Sequence, residues 1–288
     1  MYINIFNKKI KIRDRYCAHN NAKRGDEVKK PYINLYVQIT NACNMRCNFC
    51  CAVNNTYVSF NVDKFKKVIL EIIKTVDLQK ISFTGGEPTL FVDLLNELAL
   101  FVKTVSPNTF VVINTNGFAL EKINHKLFDS IALSRHHYEN KQNDILFGKE
   151  TISMDRIIGF PALEKIHLSC NLIKGYIDNV DQIIAYLHHA ANLGIYDVGF
   201  VTLMDIGGFS SDNRIEFKNT GILNDNRFFR IHTWKDNNRC ECYNFTYFID
   251  ETKYIYFYAR QVLLSTNDSN IIFDGESLRL GFNKEIII

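Results

Sequence analysis

Three cysteines stand close together in Asn41-Ala42-Cys43-Asn44-Met45-Arg46-Cys47-Asn48-Phe49-Cys50, separated by three residues and then by two. A single loop of this spacing folds round a compact inorganic centre and offers three thiolates from one side. Iron-sulfur cubanes normally take four cysteine thiolates, so a loop that supplies three leaves one iron open to another ligand. Close cysteines also serve disulfides in small secreted proteins and zinc in structural modules. Zinc usually wants a second C-x2-C-like pair or a histidine pair at matching spacing, and none lies near this loop. The chain is expected to carry no secretory leader and to sit in the reducing cytoplasm, where eight cysteines and an oxygen-sensitive cluster both survive.

The elements that position this loop follow from hydrophobic periodicity. Residues 32–40 read as a β-rich run that ends directly at the cysteines, so the loop sits at the carboxyl end of a strand, where ligand sites in parallel α/β architectures collect. Strands are predicted at 80–84, 110–114, 131–134, 165–173 and 197–203, with helices at 61–79, 94–105, 121–129 and 178–193. Asn61 or Asp63 caps the first helix. Alternation through six strands with ordinary crossovers implies parallel strands wound right-handedly into an open barrel. A hairpin or pair of edge segments, with Asn7-Lys8 between them, precedes this at 1–13. A chain of 288 residues, 47% hydrophobic and 23% charged, buries a substantial core and is neither disordered nor collagen-like. No apolar run is long enough to span a bilayer. A net charge of +3, with lysines and arginines scattered among the acids, gives no nucleic-acid footprint.

The second predicted strand runs into Gly85-Gly86-Glu87-Pro88. Glycines let a backbone approach a ligand closely, and carbonyls or the Glu87 carboxylate suit an ammonium. A lone Gly-Gly is an ordinary turn; one strand and one helix after the cysteine loop it is a far more specific signal. Together the C-x3-C-x2-C loop, with Phe49 before its last cysteine, and this glycine-rich turn resemble the two signatures of the radical S-adenosylmethionine (SAM) superfamily, over residues 35–203. The resemblance implies an α/β partial (β/α)6 barrel and a [4Fe-4S] cluster held by Cys43, Cys47 and Cys50. It also implies S-adenosyl-L-methionine (SAM) on the open iron, cleaved reductively to a 5'-deoxyadenosyl radical that abstracts hydrogen from substrate. The SAM contacts it implies are Phe49, Gly85, Gly86, Glu87, Ser134 with Arg135 on the carboxylate, and Ser169. Thr115 or Asn116 matches the position against the ribose, with Asn116 preferred; an Asn-Gly turn is the alternative for that pair. No catalytic residue is assigned beyond cluster and SAM. An electron donor such as flavodoxin or ferredoxin is expected, and a small molecule or short peptide is the expected substrate. An iron-sulfur electron carrier or sensor without radical catalysis, a methyl transferase and a zinc module are the competing readings.

Other residues keep two readings. Of His136 and His137, at most one faces the barrel cavity if the strand continues; it binds substrate or shuttles a proton, or neither does. Of Ser169 and Cys170 one faces the lumen, with Cys170 expected to be packing. Cys17 and His19 are surface residues or isolated ligands. Residues 31–208 are expected to form the core, 1–30 an N-terminal extension, and 209–288 a small β-containing extension that caps the barrel, with a hairpin at Asp274-Gly275. Trp234 leads there to Cys240-Glu241-Cys242. That pair either holds an auxiliary cluster with Cys17, Cys51 or Cys170, or consists of structural or substrate-directed thiols. The spacing looks most like the branch that includes the molybdenum-cofactor GTP cyclase and peptide-modifying enzymes, but this sequence shows neither that cyclase's second three-cysteine set nor its glycine-rich tail.

Overall fold

The computed structural model describes residues 2–11, 32–51, 59–231, 242–261, 271–280 and 287. It opens with an antiparallel hairpin, β1 (Tyr2–Ile5) and β2 (Lys8–Lys11). Phe6 and Asn7 take φ of 49° and 60°, the left-handed pair that a two-residue hairpin turn needs. The turn therefore falls one residue earlier than the sequence suggests.

Six strands follow side by side in chain order, all parallel: β3 (Tyr32–Thr40), β4 (Asp77–Gly85), β5 (Phe110–Thr115), β6 (Ser130–Ser134), β7 (Ile166–Leu172) and β8 (Asp197–Thr202). This is the expected mostly parallel α/β arrangement. Side chains alternate along each strand, and one face is apolar throughout, with Leu35, Phe83, Ile113, Leu133, Leu168 and Phe200 buried. That face is covered by helices, chiefly α1 (Val62–Thr75), α2 (Val92–Val105) and, beyond the short α3 (Asn140–Phe147) and α4 (Met154–Ile158), α5 (Val180–Asn192). The opposite face presents Tyr36, Ser82, Asn114, Ser134 and Ser169.

Two predicted helices are corrected. The first stops at Thr75 and not at residue 79, because Val76 is extended (φ −134°, ψ 161°) and the Thr75 hydroxyl donates to Asn4 O at 2.9 Å. The start is as read, with Asn61 Oδ1 accepting from Lys64 N–H at 2.9 Å. Residues 121–129 form two separate 3₁₀ turns, Leu120–Lys122 and His125–Leu127, because Ile123 is extended and Asn124 caps the second turn by accepting from Lys126 N–H.

After the short α6 (Phe209–Asp212) come β9 (Phe228–Ile231), β10 (Cys242–Phe248), β11 (Tyr254–Arg260), β12 (Ile271–Phe273) and β13 (Leu278–Leu280). These strands continue the main sheet at both edges: β11 pairs in parallel with β8, and β12 in parallel with β3. The β12–β13 hairpin turns at Gly275 (φ 96°), with Asp274 Oδ1 accepting from Glu276 and Ser277 N–H. Among the described residues no helix is long and apolar enough to cross a membrane.

Phe65 of α1 joins these layers. It is fully buried, with the rings of Phe60, Phe83, Phe101 and Phe273 at 5.7 to 6.4 Å. Removing it opens a cavity where helices α1 and α2 meet strands β4 and β12. Phe65→Ala is expected to cost about 3–5 kcal/mol and Phe65→Leu under about 2 kcal/mol, read from the denaturant midpoint. Equal midpoints for Phe65→Ala and wild type would contradict this view of the core.

Candidate cofactor site

The cysteine loop leaves the sheet at Thr40, whose neighbour across the β3–β4 ladder is Gly85. Gly85 has φ 137°, a conformation that side-chain-bearing residues rarely adopt. A Cβ there would lie 2.2 Å from Thr40 O, and one on Gly86 would lie 2.0 Å from Ala42 O. The glycine pair is thus required by the close approach of the loop's own backbone. That approach is fixed by Gly86 N–H donating to Thr40 O at 2.6 Å and Glu87 N–H donating to Ala42 O at 2.8 Å.

Glu87 continues the clasp inward. Its side chain is 1% exposed. Oε1 accepts from Thr89 N–H (3.0 Å), Thr89 Oγ1 (2.7 Å) and Thr115 Oγ1 (2.6 Å), and Oε2 from Asn116 N–H (2.7 Å). Burial raises its pKa, against the pull of these donors. Three donors sit on Oε1 and one on Oε2, and the carboxylate is closed off from solvent. This corrects the reading of the Glu87 side chain as an ammonium receptor: it ties the end of β4 to the end of β5. Thr115 belongs to the same clasp. Asn116 faces the loop instead, donating from Nδ2 to Asn44 Oδ1 at 2.9 Å and reaching Cys43 Sγ at 3.9 Å. The Asn-Gly turn is present as well, with Gly117 at φ 85°.

Cys43 and Cys47 are partly exposed and Cys50 is exposed. Met45 N–H donates to Cys43 Sγ at 3.4 Å. Burial, followed by the neighbouring Cys50 and Cys43 thiols, pushes Cys47 up to about 12; burial also raises Cys43, with Cys50 adding to it. Thiols that oppose one another's ionisation in this way suit a shared cationic centre, which reverses the effect by binding the thiolates. Among the described residues no three His, Cys, Asp or Glu side chains converge on a single-ion position. A cubane makes a different demand, since each thiolate binds its own iron. Cys51 is exposed beside Cys50.

The loop is propped from one side by an aromatic stack that the sequence did not reveal. Phe49 meets His136 edge-on at 4.9 Å, and His136 lies parallel to Phe147 at 4.9 Å. Arg46 N–H donates to Phe147 O at 2.9 Å, and Gly148 (φ 67°), closing α3, lets Arg46 O pass close by. A glycine after the last apolar residue marks a helix end, but nothing in the local pattern says which loop it meets. His136 Nδ1 accepts from Asn171 N–H at 3.0 Å, and burial, followed by Arg135, lowers its pKa to about 3. It is a neutral prop. His137 Nδ1 accepts from Glu139 N–H, its ring stacks on Tyr138 at 4.4 Å, and burial lowers its pKa too.

Strand alternation separates the remaining candidates. Ser134 and Ser169 are register partners on the polar face. Arg135 and Cys170 fall on the helix-covered face. The Arg135 side chain, 1% exposed, donates from Nε to His189 Nε2 (3.1 Å) and from Nη2 to Asn140 Oδ1 (2.7 Å) and Tyr138 O (3.2 Å). His189 is held neutral to accept that bond, its pKa lowered to about 4 by burial, then by Arg135 and His137. The expectation that Arg135 pairs with a ligand carboxylate beside Ser134 is therefore corrected, because adjacent strand residues point opposite ways. Cys170 is packing, its pKa raised by burial. Cys17, His19, Trp234 and Cys240 lie outside the described residues, as does the side chain of Cys242.

With this geometry in place the relatives are informative. Residues 37–216 match the radical SAM superfamily. GTP 3',8-cyclase of Aquifex aeolicus is 26% identical over 203 residues, covering 63% of this chain and 60% of that protein. GTP 3',8-cyclase of Staphylococcus haemolyticus is 26% identical over 220 residues, covering 69% and 62%. The chain thus spans about three-fifths of the length of these curated relatives. Streptococcus suis SuiB bound to precursor peptide SuiA shares the fold with a TM-score of 0.53 at 18% identity, over 63% of this chain and 41% of SuiB. The same protein bound to S-adenosylmethionine gives 0.52 at 18% identity, over 63% and 43%.

The clasp makes a direct prediction. Gly86→Ala forces Ala42 O away and is expected to lower the iron and sulfide retained after anaerobic reconstitution to well under half of wild type, since a Cβ under 3 Å from backbone demands that the loop move. Gly175→Ala, which carries the strain of a positive φ (80°) but whose Cβ meets nothing within 4 Å, is expected to keep the wild-type content. Full iron loading of Gly86→Ala would contradict the clasp.

Proposed function

The chain belongs to the radical SAM superfamily, and from that premise we propose that it is a radical SAM enzyme whose catalytic core is residues 31–208, flanked by extensions at 1–30 and 209–288. The observation that carries the proposal is the backbone clasp between the glycine turn and the cysteine loop, which joins the two family signatures into one structure. Cys43, Cys47 and Cys50 would hold a [4Fe-4S] cluster and leave one iron to S-adenosyl-L-methionine. When bound, these cofactors supply an electron and a 5'-deoxyadenosyl radical able to abstract hydrogen from a substrate.

The chain's own part is binding, orientation and shielding. The backbone of Gly85, Gly86 and Glu87 offers carbonyls to the ammonium of SAM, a role the Glu87 carboxylate leaves open by bonding only to protein donors. Ser134 and Ser169 offer paired hydroxyls on the polar face, and Asn116 stands at the loop beside Cys43. Phe49, braced by His136, keeps the last cysteine in place and excludes water from its inner side. The substrate class is a small molecule or short peptide. The electron donor is a flavodoxin or ferredoxin, and the site of action is the reducing cytoplasm.

The test is anaerobic incubation of reconstituted protein with SAM and dithionite. Wild type is expected to form 5'-deoxyadenosine, and Cys47→Ala to form less by at least about a hundredfold, since it lacks one of the three ligands. S-adenosylhomocysteine as the product instead would contradict a radical enzyme and point to methyl transfer.

A further inference from the structure

Helix α3 buries an asparagine. Asn143 stands in the middle of that short helix and is 1% exposed, on the face it shares with Leu146 and Phe147. Asparagine is a poor helix former that is mostly found exposed, and an amide sealed from water needs partners. Its Oδ1 accepts from two successive backbone donors, His136 N–H at 2.8 Å and His137 N–H at 3.2 Å. Its Nδ2 donates to Thr151 Oγ1 at 3.0 Å. Thr151 gives its own N–H and its hydroxyl hydrogen to Asp144 Oδ1, at 2.9 and 2.7 Å. A hydroxyl has one hydrogen, so Thr151 Oγ1 is left to Asn143 as an acceptor. The amide is therefore fixed in one orientation, with its oxygen toward the two histidine N–H groups.

Those N–H groups belong to the segment that leaves β6 after Ser134. Strand β7 also holds this segment: Arg135 N–H donates to Ser169 O at 3.0 Å, and Asn171 N–H to His136 Nδ1 at 3.0 Å. His136 is thus bonded through both its backbone and its ring, and the ring stands against Phe147 and Phe49. The same helix meets the cysteine loop a second time, where Phe147 O accepts from Arg46 N–H at 2.9 Å. Arg46 directly precedes Cys47, and Phe49 directly precedes Cys50. By joining α3 to His136, Asn143 sets both contacts relative to Ser134 and Ser169. Closing the turn after β6 would ask nothing of the imidazole; bonds at both ends of His136 decide where Phe49 lies.

We propose that Asn143 is a positioning residue of the cofactor site: acting through His136 and Phe49, and through the end of α3, it holds Cys47 and Cys50 in register with Ser134 and Ser169. That the loop grips a cluster and the serines SAM rests on the radical SAM reading; the clamp on the cysteine loop does not. Groups that orient metal ligands without touching the metal change metal affinity or activity by about ten- to a hundredfold when removed.

The experiment uses the full chain, reconstituted anaerobically, with Asn143→Ala, Thr151→Val and, as a destabilised control, Phe65→Leu beside wild type. Three quantities are read: the melting temperature, the rate of iron release to excess EDTA, and the SAM concentration that half-shifts the reduced-cluster resonance. Asn143→Ala is expected to assemble the cluster, to release iron at least about tenfold faster and to need at least about tenfold more SAM. Thr151→Val leaves the Asn143 oxygen in place but frees the amide to turn, and is expected to move both readouts in the same direction by less. Phe65→Leu is expected to melt lower with both readouts unchanged. Wild-type values in Asn143→Ala, or changes that Phe65→Leu reproduces at an equal melting temperature, would overturn the proposal. If Asn143→Ala does not fold, Thr151→Val decides, and wild-type values there would overturn it equally. Faster iron release in Asn143→Ala, beside a wild type whose resonance ignores SAM, would leave the clamp standing and sink the radical reading alone.

Discussion

The structure depends on two hydrogen bonds that hardly involve side chains: Gly86 N–H to Thr40 O and Glu87 N–H to Ala42 O. Each is worth on the order of 1 kcal/mol, small against the whole, but they decide where three cysteines stand. They form only because neither Gly85 nor Gly86 carries a Cβ, which would lie 2.2 and 2.0 Å from the loop's carbonyls. The Glu87 carboxylate then fixes the same turn to Thr115 and Asn116 at the next strand. The cysteine loop is thereby anchored to two adjacent strands, which lowers the ordering entropy left for any ligand bound there to overcome. The Phe49–His136–Phe147 stack supplies the support from the opposite direction.

Two-residue alternation along the strands does the remaining sorting. The same six strands that send Leu133, Arg135 and Cys170 toward the helices send Ser134, Ser169 and His167 toward the lumen. The polar face hence runs along the strands, from Tyr36 and Ser82 to Ser134 and Ser169. Continuation of the sheet by β11, in parallel with β8, adds Tyr258 to that face beside Gly199.

The cysteine loop, the glycine turn and the order of the six parallel strands were legible in the sequence because each is encoded locally: fixed spacing, a Gly-Gly turn, and apolar periods that give element type. Ser134 and Ser169, which the resemblance names, share one face as register partners, where the period alone leaves Ser169 and Cys170 open. Arg135 was misjudged where the rule was available, since it follows Ser134 directly. The Glu87 carboxylate differs for another reason: two of its four donors lie at the end of β5, on Thr115 and Asn116, and a list of residues does not show which polar groups a fold brings together. The helix predicted at 121–129 failed because Asn124 caps a new turn where the apolar pattern runs on. The Phe147 prop and the parallel pairing of β11 with β8 are contacts between distant segments, which no local period announces.

The central claim is that Cys43, Cys47 and Cys50 bind a cluster with one iron left open to SAM. The most direct measurement is electron paramagnetic resonance of the anaerobically reconstituted, dithionite-reduced protein before and after SAM is added. A reduced [4Fe-4S] signal whose g-values shift on SAM addition is the predicted result, because the ligand meets the cluster itself. A reduced-cluster signal unchanged at saturating SAM would contradict an open iron and with it the radical mechanism.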